Sequence, residues 1–290
     1  MNPLIIDCAG RPLDLSRPRV MGILNVTPDS FSDGGEFLAI DMAVARALQM
    51  VEEGAAIIDV GGESTRPGAA DVSIEAELDR VIPVIEALCD ATDVPVSVDT
   101  RKPAVMQAAA GAGAGLVNDV YALQADGAID MVAGLGVPVC LMHMQEAPGT
   151  MQDDPHYSDV VNEVGDFLQA RAGACIAGGI ARERILLDPG FGFGKTADHN
   201  LLLLQELHRL VSRGFPVLVG LSRKSLIGKV LGLPVDKRLY PSLSLAVIAA
   251  WQGARIIRTH DVRATREALD MSHAVMSVVP QALYEPVETG

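Results

Sequence analysis

Short apolar runs that end on a polar residue and a Gly-rich turn recur along this chain, each followed by a helical stripe. The run Ile185-Leu186-Leu187-Asp188 is the sharpest case. It is apolar without alternation, as a strand covered on both faces must be, and it stops at a carboxylate. Pro189, Gly190, Gly192 and Gly194 follow, where the backbone must turn tightly or let a ligand approach closely. One such junction reads as an ordinary strand-to-helix turn with Asp188 as a solvated cap. Its recurrence is what constrains the fold. The sequence predicts strands at Val20–Val26, Ile57–Val60, Pro95–Asp99, Gly115–Asn118, Val137–Met142, Ile185–Asp188, Pro216–Leu221 and Arg255–Arg258.

Helical stripes lie between them. Val44, Leu48 and Val51 share a face, as do Leu78, Val81, Ile85 and Leu88, and again Val160, Val164, Phe167 and Leu168. Further helices are predicted over Leu201–Val211 and from about Val262 to Val279. Ser73 is placed as an N-cap, Pro103 opens a helix, and Gly54, Gly178-Gly179 and Gly214 close others. Leu243–Trp251 is apolar nearly all round, which predicts a helix that is buried or at a subunit interface.

Roughly eight β-α alternations, spaced by about 30 residues with no linker, are the length of a (β/α)₈ TIM barrel. The prediction is one domain over residues 1–290, core about 18–280, with long loops after strands one and two at Thr27–Phe37 and Gly61–Val72. A doubly wound open sheet is the alternative. It should carry G-x-G-x-x-G after strand one, where Asn25 is followed by VTPDSFSDGG, and Gly190–Lys195 fails the spacing of a P-loop.

With 290 residues, 49% of them hydrophobic and 4% aromatic, the chain can bury a sizeable core by helix-on-sheet packing. A net charge of −14 argues against a nucleic-acid partner or a basic membrane-binding face. It also makes any cluster of Arg and Lys conspicuous. Cys8, Cys89, Cys140 and Cys175 form no C-x-x-C pair and read as small hydrophobes in a reducing compartment. No basic leader and no run of about 18 apolar residues is present, which predicts a cytoplasmic chain without a membrane partner.

If the barrel closes, its strand tips converge on one rim. They offer Asn25, Thr65 with Arg66, Asp99, Asn118, His143, Asp188, Lys224, and Arg258 with His260. Asp99, Asn118 and Asp188 supply acceptors plus one amide, which suits a flat heterocycle bearing N–H donors and a carbonyl. Lys224, Arg258, His260 and Arg66 are a cationic group in an acidic protein, and the loops after strands seven and eight of barrels often hold phosphate. Each residue has a plainer reading: Asp99 and Asp188 as helix caps, Asn118 in a turn, Lys224 as a Schiff-base lysine. His143 reads as a satisfied core histidine, Lys195 and Arg223 as surface charges. Jointly, so many polar tips on apolar strands need partners, because buried polar groups cost free energy unless paired.

The segments ILNVTPDSFSDGG, GGESTRPG, PVSVDT, NDV, LDPGFGFGK, GLSRKS and IIRTHDV resemble the dihydropteroate synthase family of folate biosynthesis, in order, from about Val20 to Ala274. The resemblance implies a (β/α)₈ barrel, a homodimer, and two small-molecule substrates. It implies joining 6-hydroxymethyl-7,8-dihydropterin diphosphate to 4-aminobenzoate, giving 7,8-dihydropteroate and diphosphate, with Mg²⁺ assisting. By the same resemblance Asp99, Asn118, Asp188 and Lys224 hold the pterin. Asn25 with its Mg²⁺, Thr65, Arg258, Thr259 and His260 hold the diphosphate, and Thr65, Arg66, Pro67, Phe193 and Ser225 hold the aminobenzoate. Asp99, Lys224 and Arg66 are the implied catalytic groups. Pro241 stands where such enzymes often have Gly, away from the rim. A corrinoid-partnered pterin methyltransferase barrel would share the Asp-Asn-Asp grip but not the Ser-Arg-Lys and Arg-Thr-His cations. A phosphate-binding aldolase or isomerase barrel would leave the acceptor trio unexplained. A non-catalytic pterin binder would lack Arg66, Asp99 or Lys224.

Overall fold

The structure is a computed structural model that describes residues 4–27, 35–64, 71–145, 151 and 154–278, with only the backbone at 35–38. Eight parallel strands form the sheet predicted from the apolar runs. They are β3 (Arg19–Asn25), β4 (Ile57–Gly61), β5 (Val96–Asp99), β6 (Leu116–Asp119), β7 (Val139–Met142), β8 (Ile185–Asp188), β9 (Leu218–Gly220) and β10 (Ile256–Thr259). Their order, β8-β7-β6-β5-β4-β3-β10-β9, follows the chain around a ring. The seam between β8 and β9 is drawn together by a parallel bridge, Leu187 to Val217, and by the Leu187 N–H on the Pro216 carbonyl. The result is a nearly closed TIM barrel, as the alternation requires.

The helices that follow the strands are α1 (Gly35–Glu52), α2 (Ile74–Ala91), α3 (Pro103–Gly111), α4 (Ala128–Leu135) and α5 (Val160–Ala177). After β8 come α6 (Ala197–Gln205) and α7 (Leu207–Val211), then α8 (Ser225–Leu231), α9 (Leu239–Trp251) and α10 (Val262–Met276). Ser73 caps α2 as expected, accepting from the Ala76 N–H. Helix α9 starts four residues earlier than its apolar run suggests, and Pro241 sits in its first turn, where no N–H is needed. Helix α10 ends at Met276, short of the predicted Val279. Among the described residues no helix is long and apolar enough to cross a membrane.

Residues two apart on a strand share a face, and the inward face changes character along its length. Leu116 is followed by Asn118, Leu186 by Asp188, Ile256 by Arg258 and Ile57 by Asp59. The lower, apolar members pack together with Met21, Cys140 and Leu218. The upper members form a polar layer beneath the rim.

A two-stranded antiparallel hairpin, β1 (Ile5–Cys8) and β2 (Arg11–Asp14), plugs the amino-terminal end of the barrel. Ile6, Cys8, Leu13 and Leu15 join the apolar layer inside. The backbone of Gly115 meets the plug so closely that a Cβ there would lie 2.4 Å from the Cys8 carbonyl oxygen. The sequence reading missed this hairpin, because β1 buries only Ile6 and Cys8 and β2 only Leu13, which leaves little periodicity to detect. Leu15→Ala should therefore cost about 2–5 kcal/mol of stability in urea unfolding and leave ligand affinity at the opposite rim unchanged; an affinity loss would tie the plug to the site.

Candidate active site

Parallel barrels place the carboxyl ends of their strands on one rim, and register decides which residues meet there. Asn25 pairs with Gly61, Gly61 with Asp99, and Asp99 with Asn118, so four neighbouring strands end in one row. A Cβ at Gly61 would stand 3.5 Å from the Asp99 Cβ, in ordinary van der Waals contact. Asp99, Asn118, Asp188, Phe193, Lys224 and Arg258 line a single cleft, with Val120, Met142 and Phe191 as its apolar wall.

The Arg258 guanidinium crosses the barrel beneath this cleft. Its Nε donates to Asp59 Oδ2 and its Nη2 to Asp99 Oδ2, each at 2.6 Å. Asp59 Oδ2 also accepts from the Asn118 amide at 3.1 Å, which turns the Asn118 carbonyl toward the cleft. Asp59 is fully buried and had no place among the sequence-derived candidates. The signal was available: a carboxylate inside the apolar run IIDV cannot face water and must find a charged partner. On the far side, Asp188 accepts the Gly190 N–H at 2.8 Å through Oδ1. The Lys224 ammonium rests 4.2 Å from the centre of the Phe193 ring.

Burial governs the titration of these groups. It pushes the Asp99 carboxyl up to about 7 against the pull of Arg258, and Asp188 up to about 6 against the Gly190 N–H and Lys224. It draws Lys224 down to about 8, helped by Arg258 and opposed by Asp188 and Asp99. Among the described residues, two buried acceptor atoms near Arg258, Asp59 Oδ1 and Asp99 Oδ1, have no hydrogen-bond partner. Of the two residues Asp99 lines the cleft, where a ligand's donor could meet its free oxygen.

Other sequence-derived candidates sit around this centre. Asn25 is exposed at the end of β3, and Ser225 is exposed at the start of α8. The His260 Nδ1 lies 3.0 Å from the Ser222 hydroxyl, which also accepts the His260 backbone N–H. The Thr259 hydroxyl is turned away toward Thr265 of α10 and accepts the Asp261 N–H. Thr65, Arg66 and Pro67, with most of the loops Thr27–Phe37 and Gly61–Val72, fall outside the described residues. His143 is buried, as a core histidine should be, with its ring edge-on to Phe167 at 5.0 Å. Arg223 is exposed, as a surface charge should be, and forks onto Asp261. Lys195 is not the surface charge the sequence suggested. It is 1% exposed, because the glycine turn folds inward and supplies carbonyls that take its ammonium.

The pattern matches known proteins. The sequence profile of the pterin binding enzyme family matches residues 21–260. A dihydropteroate synthase of Escherichia coli is 53% identical over 276 residues, covering 95% of this chain and 98% of that one. The dihydropteroate synthase of Xanthomonas albilineans, solved with 4-aminobenzoic acid, is 54% identical with a TM-score of 0.91, covering 96% of this chain and all of that chain. The same enzyme solved with 7,8-dihydropteroate superposes with a TM-score of 0.87 at 51% identity, over 95% of this chain and all of that one.

Ring donors need ionised acceptors, so affinity for a pterin analogue that does not itself titrate should fall by up to about tenfold per pH unit as pH drops through the Asp99 value of about 7, and more steeply below the Asp188 value of about 6. Calorimetry between pH 5 and 8 reads this directly, and a flat profile would mean these carboxylates do not meet the ring.

Proposed function

The chain belongs to the pterin binding enzymes and, among them, to the dihydropteroate synthases, and from that membership we infer that its barrel mouth joins a dihydropterin diphosphate to 4-aminobenzoate. The products are 7,8-dihydropteroate and diphosphate. The observation that carries the reading is the cleft itself: three acceptor tips, Asp99, Asn118 and Asp188, face two cations, Arg258 and Lys224, in one opening.

The chemistry follows from those groups. Asp99, Asn118 and Asp188 take the donor edge of the pterin, with the partnerless Asp99 Oδ1 as one acceptor. Arg258 is anchored through Nε and Nη2, and among the described residues its Nη1 has no partner and is left for a diphosphate oxygen. His260 and the Thr259 backbone extend that end. As the carbon–oxygen bond to diphosphate breaks, charge builds on the leaving oxygens, where fixed cations lower its energy. The pterin methylene left behind is cationic, and the Asp99 carboxylate stabilises it. The arylamine is weakly basic, so it attacks this electrophile more readily than it displaces diphosphate directly; the new carbon–nitrogen bond forms and the amine gives up a proton. Phe193, Lys224 and Ser225 border the approach for the aminobenzoate, and the family membership gives Thr65, Arg66 and Pro67, outside the described residues, a share in holding it.

Mg²⁺ fits this site as a shared ion. Among the described residues no group of three His, Cys, Asp or Glu side chains could cage a metal. The exposed Asn25 amide, in register with Gly61 and Asp99, offers one hard oxygen, which suits an ion held chiefly by water and substrate phosphates. Bound there, the ion would neutralise charge on the leaving diphosphate.

The homodimer reading rests on α9 and α10, where Tyr240, Trp251 and Met271 are 78%, 60% and 66% exposed. Large exposed apolar side chains on neighbouring helices call for a cover, and a second copy supplies a matching one. Sedimentation should give a dimer for the parent chain and a monomer for Trp251→Glu; a monomeric parent would end that reading. The absence of a membrane-crossing helix among the described residues and four unpaired cysteines support a cytoplasmic setting, which localisation of the tagged chain in cells would test.

The activity itself is read by diphosphate release from the dihydropterin diphosphate with 4-aminobenzoate present. One diphosphate should appear for each dihydropteroate formed. Release without dihydropteroate, or no release at all, would overturn the reading.

A further inference from the structure

The reaction leaves the burial of Lys195 unexplained. Its ammonium is shut away from water, yet its hydrogen bonds go to neutral groups. It donates to the Gly190 and Phe193 carbonyls, each at 2.9 Å, and lies 3.0 Å from His143 Nδ1 and 3.4 Å from the His143 carbonyl. Taking an ammonium out of water is costly unless its donors are met. Here they are met by the end of β7 and by both arms of the glycine turn after β8.

We propose that Lys195 is a positioning residue for Lys224: it ties the Gly190–Phe193 turn to His143 and so holds the Phe193 ring in place beneath the Lys224 ammonium. The turn has little stiffness of its own, since Gly190, Gly192 and Gly194 all adopt positive φ, at 67°, 82° and 59°. Lys195 gathers it from inside. From outside, Asn200 accepts the Gly192 N–H and the Tyr157 hydroxyl donates to the Gly194 carbonyl, both at 2.8 Å. The anchor is itself fixed. The His143 N–H donates to the Asp188 carbonyl at 2.9 Å. Burial, then the Lys195 charge, holds its imidazole down to about 3, so the ring stays neutral, and in the tautomer protonated at Nε2 its Nδ1 accepts from the ammonium.

Phe193 then transmits the position. Its ring packs with Val120, Met142, Met144 and Met151. Among the described residues Lys224 makes no hydrogen bond or ion pair through its side chain, so this ring is the contact on which its ammonium rests. Gly192 is the other near neighbour: a Cβ there would lie 3.3 Å from Lys224 Cδ. A turn released by loss of Lys195 lets ring and lysine drift together.

The inference rests on the proposed roles of Lys224 and Phe193, and its test separates the two. Lys195→Met, Phe193→Leu and the double variant are compared by kcat/KM for aminobenzoate, with active sites counted by titration of a pterin analogue. Each single change should lower kcat/KM about tenfold, and the double variant should be no worse than the poorer single, because both act through one contact. Effects that multiply to roughly a hundredfold would show a general structural role and overturn the proposal. If Phe193→Leu lowers kcat/KM and Lys195→Met does not, the inference fails alone. If Phe193→Leu is neutral, the assignment of Phe193 to the site fails with it. Should Lys195→Met not fold, Lys195→Gln, which keeps two N–H donors for the turn, carries the same comparison.

Discussion

A single guanidinium stands between two buried carboxylates, and the mouth of the barrel is arranged around it. Without Arg258, Asp59 and Asp99 would be two like charges under the rim with no cation among the described residues bonded to either. Breaking a buried pair by removing one partner costs about 3–5 kcal/mol, because an uncompensated charge is left behind. That constraint settles the rest of the polar layer. Asp59 spends its bonded oxygen on Arg258 and Asn118, which fixes the side chains of both. Asp99 keeps one oxygen on Arg258 and, among the described residues, leaves the other without a partner. The cleft therefore sets one guanidinium against two carboxylates and keeps an Asp99 oxygen that a donor-bearing ring would complete.

Rigidity below serves this arrangement. The apolar layer formed by the lower strand residues and the amino-terminal hairpin closes the barrel floor. The strand ends above it inherit a fixed register. On β4, β6, β8 and β10, chemistry at the tip and packing at the base thus lie on one strand, two residues apart.

Much of this was legible in the sequence, and the reasons differ by residue. Asp99, Asn118 and Asp188 stood out because each ends an apolar run, where a polar residue needs an explanation. Lys224 and Arg258 stood out because basic tips are rare in so acidic a chain. Asp59 was passed over because it lies inside its strand, where the apolar pattern absorbs a single exception. Lys195 was misplaced for a different reason. A lysine after three glycines looks like the end of an exposed loop, and only the tertiary path of that loop, folding its carbonyls inward over His143, shows otherwise. The hydroxyl of Thr259 was grouped with its neighbours by position in RTHD, whereas strand alternation turns it toward α10.

The central claim is that the strand-tip acceptors, with Arg258 held between Asp59 and Asp99, bind the pterin at its donor edge. A crystal structure of the chain with a pterin analogue and pyrophosphate tests it most directly. The account predicts the ring edge within hydrogen-bond distance of Asp99 Oδ1, Asn118 Oδ1 and Asp188, and pyrophosphate on the Arg258 and His260 side. A ring seated elsewhere at saturating analogue, with those three acceptors still facing solvent, would contradict it.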